Sequence, residues 1–136
     1  KAGLGTQYFW LSKGTFDFFP ALTIKNKRGQ KDTFSCIINM NYIDLDLVQK
    51  SRVTFEADNN LDFRLGTGAF RYTKKAKEND LALITRLSEY DYEMRIVPTE
   101  ADVYPQLLSY ATSYIGNYGK RFGYIGNTDL FRILDK

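Results

Sequence analysis

The chain has no histidine. That excludes serine–histidine–aspartate and cysteine–histidine catalysis, histidine metal sites and the commonest general base. It also excludes nucleases of the phospholipase-D type, which need a His-x-Lys pair, and nucleases built on metal-binding histidines. Cysteine is nearly absent too. Cys36 stands alone, so no internal disulfide and no cysteine-based zinc site can form. A cytoplasmic protein is the simplest reading. No apolar run approaches the ~18 residues of a membrane span, and no signal-peptide pattern occurs. There is no Gly-x-x-x-x-Gly-Lys loop to cradle phosphates. No Asp or Glu has a lysine two positions later, as a metal-dependent restriction-type nuclease requires. No metal or other cofactor is expected.

Aromatic residues are plentiful. Ten Phe and ten Tyr in 136 residues favour strands, and they suit surfaces that hold a planar or extended partner. The length makes one domain with one core. The first residue is Lys1 rather than Met, and residues 1–136 are expected to be a single domain cut from a longer protein. A net charge of +3 does not itself imply nucleic acid, so the placement of charge has to decide.

The pattern is mostly strand. Gln7–Leu11 predicts one short strand, and Phe16-Asp17-Phe18-Phe19-Pro20 a strand end or edge, since Pro20 cannot donate to a ladder. Thr33–Met40 alternates, with Phe34, Cys36, Ile38 and Met40 on one face. Cys36 is expected to be inert core. Arg52–Leu65 reads as a hairpin turning at Asp58-Asn59-Asn60. Leu81–Leu87 reads as a strand buried on both faces, and Tyr92, Met94 and Ile96 mark another. Val103, Leu107, Ala111 and Ile115 recur every four residues and predict the main helix, from Asp102 to Gly116. One further helical turn is expected near Asp129–Leu134. The fold expected is mainly β (α+β): a partly open, seven-stranded mixed β-barrel with one main C-terminal helix and short helical turns.

Two basic clusters stand between these strands. Lys25-Asn26-Lys27-Arg28-Gly29-Gln30-Lys31 puts four cations in seven residues with no acid among them, and it is expected as a loop turning at Gly29. Phosphate contact needs long cations, and base reading needs paired donors and acceptors such as Arg, Asn and Gln. The stretch has both. The second cluster is Arg71, Tyr72, Lys74, Lys75 and Lys77, preceded by Arg64. Lys120-Arg121 is a candidate third contact. Each cluster taken alone also fits a solvated surface.

Three stretches resemble the DNA-recognition domains of certain bacterial restriction endonucleases, which share the DNA-binding pseudobarrel with the plant B-three domains. Phe18-Phe19-Pro20 precedes a strand-loop-strand with a basic loop. Asn60-Leu61-Asp62-Phe63-Arg64-Leu65-Gly66 is similar to the family's strand before its second arm. Asn79-Asp80-Leu81-Ala82-Leu83-Ile84 is similar to its Gly-Asp-apolar strand start, with Asn79 in place of Gly. The resemblance covers residues 15–98. It implies sequence-specific binding of double-stranded DNA by two arms in the major groove, Lys25–Lys31 and Arg64–Lys77. It also implies that cleavage belongs to a fused or partner nuclease domain and not to this one.

Other readings stay open. A reader of modified or flipped bases needs an aromatic pocket, for which Trp10, Tyr72 and Tyr124 are available. A ligand-binding or protein-interaction barrel would use its basic loops only for solubility. A carboxylate enzyme would need Asp44 with Asp46, or Asp58 with Asp62, facing across a cleft. Tyr114-Ile115-Gly116 and Tyr124-Ile125-Gly126 resemble another nuclease signature, but that family places it near the start of its domain and needs an Arg and a Glu downstream, and past Tyr124 there is Arg132 but no Glu.

Overall fold

A computed structural model describes residues 8–10, 17–28, 31–56, 62–66, 77, 79–115 and 120–134. Its strands are β1 (Tyr8–Trp10), β2 (Ile24–Arg28), β3 (Lys31–Tyr42), β4 (Leu47–Glu56), β5 (Asp62–Gly66), β6 (Leu81–Arg86), β7 (Asp91–Val97), β8 (Ser113–Ile115) and β9 (Lys120–Phe122). Two α-helices are present among the described residues, α1 (Tyr104–Leu108) and α2 (Asn127–Leu134). The main sheet runs β1-β5-β4-β3-β7-β6, and the path is not closed. It is mixed, as expected. β7 runs parallel to β3, and the other pairings in this sheet are antiparallel.

β3 organises the sheet. One of its edges pairs with β4 from Thr33 to Tyr42. The other is divided, with β2 on Lys31–Ser35 and β7 on Asn39–Tyr42. The alternation expected from the sequence is borne out. Cys36, Ile38, Met40 and Tyr42 are buried, and they pack with Val53, Leu65, Tyr92, Met94 and Ile96. Cys36 is core, and burial pushes its thiol up. The Tyr42 and Ser51 hydroxyls share a hydrogen bond on this buried face, so neither is left unsatisfied.

Residues 17–22 close the inner face. Asp17 and Phe18 lie in a tight helical turn, not the strand end expected there, and Phe19 and Pro20 are buried. Phe18 and Phe19 pack on Tyr92 at 5.7 and 5.4 Å between ring centroids, and the Tyr92 hydroxyl donates to the Phe18 carbonyl. Arg86 secures this corner. Its guanidinium sits 5.6 Å from the Tyr92 ring centroid and donates to the carbonyls of Ser88, Glu89 and Asp17.

A second core lies on the opposite face of the β6–β7 hairpin, where Val97 joins Leu107, Leu130 and Ile133, with Leu81 and Leu83 against them. The C-terminal segment therefore packs onto the same sheet.

Other expectations need correction. The predicted helix from Asp102 to Gly116 holds only over Tyr104–Leu108, and Ser113–Ile115 is strand. Pro105 occupies the first turn, and the run after Leu108 is rich in Ser, Thr and Tyr, which favour helices weakly. Tyr110 and Ala111 bond three residues back, to Leu107 and Leu108, as the helix tightens and ends. The periodic Leu107 and Ala111 are buried, so the pattern reported burial without a long helix. The longer helix is α2, of eight residues. β6 is half-buried rather than enclosed on both faces, because β7 is its only strand neighbour among the described residues. Finally, the basic stretch from Lys25 is strand, not loop, up to Arg28. The Asp58–Asn60 turn lies outside the described residues.

Candidate nucleic-acid interface

β2 and β3 form a hairpin in which Arg28 is the register partner of Lys31, with Gly29-Gln30 between them. A two-residue connection with glycine suits such a hairpin. The register divides the first basic stretch between two faces. Lys25 opposes Phe34 and Lys27 opposes Asp32, while Asn26 opposes Thr33 and Arg28 opposes Lys31. Lys25 and Asn26 are exposed. The Lys25 ammonium lies 5.9 Å from the Phe34 ring centroid, a distance at which the ring face attracts a cation. Thr33 donates to the Asn26 carbonyl at 3.3 Å. Asp32 is the one acid in β2 or β3.

Only part of the second cluster falls within the described residues. Arg64 opposes Thr54 on one side and Trp10 on the other. Gln30, Arg71, Tyr72, Lys74 and Lys75 lie outside the described residues. Lys77 is exposed; its backbone N–H donates to Asp80 at 2.9 Å. It precedes Leu81, which pairs with Val97, past the Tyr42–Met94 end of the β3–β7 ladder. Lys31 begins β3 at the other end. Lys77 and Lys31 thus stand toward opposite ends of β3. Arg121 is exposed in the separate β8–β9 pair, opposite Tyr114, and Lys120 opposes Ile115.

The residues of the other readings fare differently. Asp44 is committed to the backbone: its carboxylate accepts the Ile96 N–H at 2.7 Å. Asp46 holds a left-handed turn with φ 50°. Asp58 and Tyr72 lie outside the described residues. Tyr124 is exposed and packs beside Phe18 and Phe122. No group of three or more His, Cys, Asp or Glu converges as a metal site among the described residues. No helix among them is long and apolar enough to cross a membrane.

Arg52 does not stand out in the sequence. It is exposed on β4, and its Nη1 donates to Ser35 Oγ at 2.7 Å. The available signal is its phase: it alternates with Ser51 and Val53, which are buried.

Over residues 1–136 the sequence matches the family model of the metal-independent restriction enzyme BfiI DNA binding domain. The chain belongs to that family. The match runs through the C-terminal quarter, beyond the stretch that resembles such domains in sequence alone. No curated protein matches the chain.

Proposed function

We propose that this chain is the target-recognition domain of a restriction endonuclease, binding double-stranded DNA in a sequence-specific way and leaving cleavage to a fused or partner nuclease domain. The observation that carries the reading is membership of a DNA-binding-domain family along the whole length. The basic β2–β3 hairpin supports it, since it supplies cations for phosphates together with Asn26 and Arg28 for base edges. In this reading Lys25–Lys31 and Arg64–Lys77 are two arms that enter the major groove from an open pseudobarrel. The inner face is filled by Tyr42, Tyr92, Ile38, Met40, Leu65, Met94 and Val53, which argues against a barrel that stores a ligand inside.

Retention of random duplex pools at two salt concentrations, with sequencing of the bound fraction, tests the proposal. One enriched short site is the expected result. No retention at either salt concentration sinks it, and enrichment only in pools with modified bases replaces it by a modified-base reader.

A further inference from the structure

We infer that Arg52 is a DNA-contacting residue of the sheet itself, meeting a backbone phosphate between the roots of the two arms, and that Ser35 is its positioning residue. This rests on the DNA-binding reading and adds a contact that neither arm carries.

Arg52 lies on the face of β4 opposite the main core, since its neighbours Ser51 and Val53 are buried and it is exposed. Its partner on β3 is Ile37, itself 37% exposed. On its other side Gly66 ends β5; a Cβ there would meet the Arg52 carbonyl oxygen at 3.6 Å. The chain that carries Arg71, Lys74 and Lys75 thus leaves the sheet beside Arg52. The other arm is rooted where Ile24 pairs with Ser35, two residues from Ile37. Arg52 reaches toward that root, since its guanidinium is held by Ser35. One side chain therefore spans the interval between the two roots.

Its chemistry is unspent. Ser35 is buried at 2% exposure, and it accepts through a neutral hydroxyl, which fixes the guanidinium without cancelling its charge. Among the described residues that is the one hydrogen bond of the Arg52 side chain, and no carboxylate there pairs with it. A guanidinium has five N–H donors in a rigid fork, and the fork matches phosphate oxygens. Lys50 is exposed on the same face. A side chain held to its own sheet by Ser35 stays close to that sheet. What reaches it is the sugar–phosphate rim of a duplex whose groove the arms occupy.

The test uses the full chain and the site selected from random pools. Affinity is measured against salt for the wild type, R52Q, R52K and S35A, with a thermal melt of each. R52Q should flatten the slope of log K against log salt by ~0.9, the value of one phosphate contact on duplex DNA. It should weaken the selected site and random duplex by the same factor. R52K and S35A should keep the slope but bind more weakly than wild type, R52K because an ammonium cannot make the paired contact of a guanidinium. A folded R52Q with wild-type slope and affinity would mean that Arg52 only covers Ser35, and the inference fails. Loss of preference at one base pair with the slope intact also overturns it, because Arg52 would then read a base. Should R52Q not fold, neutral methylphosphonates placed one at a time carry the test with R52K. One position must cost the wild type a larger factor than R52K, and equal losses everywhere overturn the inference. A wild-type chain that retains no duplex fails earlier, at the DNA-binding reading.

Discussion

The Asp44 carboxylate accepts a hydrogen bond from the backbone N–H of Ile96 at 2.7 Å, across 52 residues of sequence. Asp44 lies in the single helical turn Ile43–Leu45 that follows β3. The backbone pairing of β3 with β7 ends at Tyr42 and Met94, so the side chain continues the attachment where the ladder stops. Asp44→Ala leaves the N–H of a buried residue without an acceptor and should cost about 1–3 kcal/mol. Asp44→Asn keeps an acceptor and should lose less. Urea unfolding checks both, and equal midpoints for D44A and wild type would show the bond to be idle.

Asn79 adopts φ 74°, a left-handed conformation that Asn tolerates and Gly prefers. The strand start that this stretch resembles in sequence implies glycine at this place, and the angle is one that Asn can also hold. Its carbonyl also accepts from the Tyr104 hydroxyl at 2.6 Å, a bond that does not depend on the side chain. Asn79→Gly should therefore be close to neutral, while Asn79→Val should destabilise by roughly 1–3 kcal/mol. Thermal melts of the pair, compared at one pH, decide it.

Burial pushes the Tyr92 phenol up to about 12, with Arg86 drawing it down and Cys36 raising it. An unfolded tyrosine titrates near pH ~10. The folded value is the higher one, so this group's contribution is complete below pH ~10 and is lost as pH rises through about 12. Stability should fall across that window, and Tyr92→Phe should flatten the fall. Urea midpoints measured through the alkaline range for both proteins give the slopes. Identical slopes would remove Tyr92 from the account.

Neutralising charge at the hairpin separates phosphate binding from base reading. Lys27→Gln and Lys31→Gln should weaken binding to every duplex and reduce the salt slope by ~0.9 for each phosphate no longer met by a cation. Asn26→Ala or Arg28→Ala should instead relax the preference at one base pair, worth ~1–3 kcal/mol of discrimination for a paired contact. Sequencing the bound fraction for each variant resolves the two patterns. Unchanged binding in all four would show that the hairpin is not an arm.

The strand core is legible in the sequence because its signal has period two. Cys36, Ile38 and Met40 face inward as their spacing demands, and Val53 and Leu65 meet as register partners. The C-terminal segment is harder to read for a related reason. Leu107 and Ala111 are both buried, but a four-residue spacing is also met by a short helix followed by a tight turn, and spacing carries no information about where the backbone bonds change. At the candidate interface, charge density locates Lys25 and its neighbours but not their secondary structure. It passes over Arg52 because β4 carries only one other cation, Lys50, and so forms no basic run. The significance of Arg52 comes from Gly66 and Ser35, which only the sheet brings beside it.

β3 has 12 residues and carries both the packed interior and one side of the basic hairpin. Because side chains alternate along a strand, a slip of one position would exchange its two faces. In the proposed reading, the face of the hairpin on which Asn26 stands is consequently set by residues that lie away from the DNA. Enlarging or shrinking Ile38 or Met40 enough to shift the ladder would redirect the hairpin, so a lesion deep in the interior would register as altered target choice before it registered as unfolding.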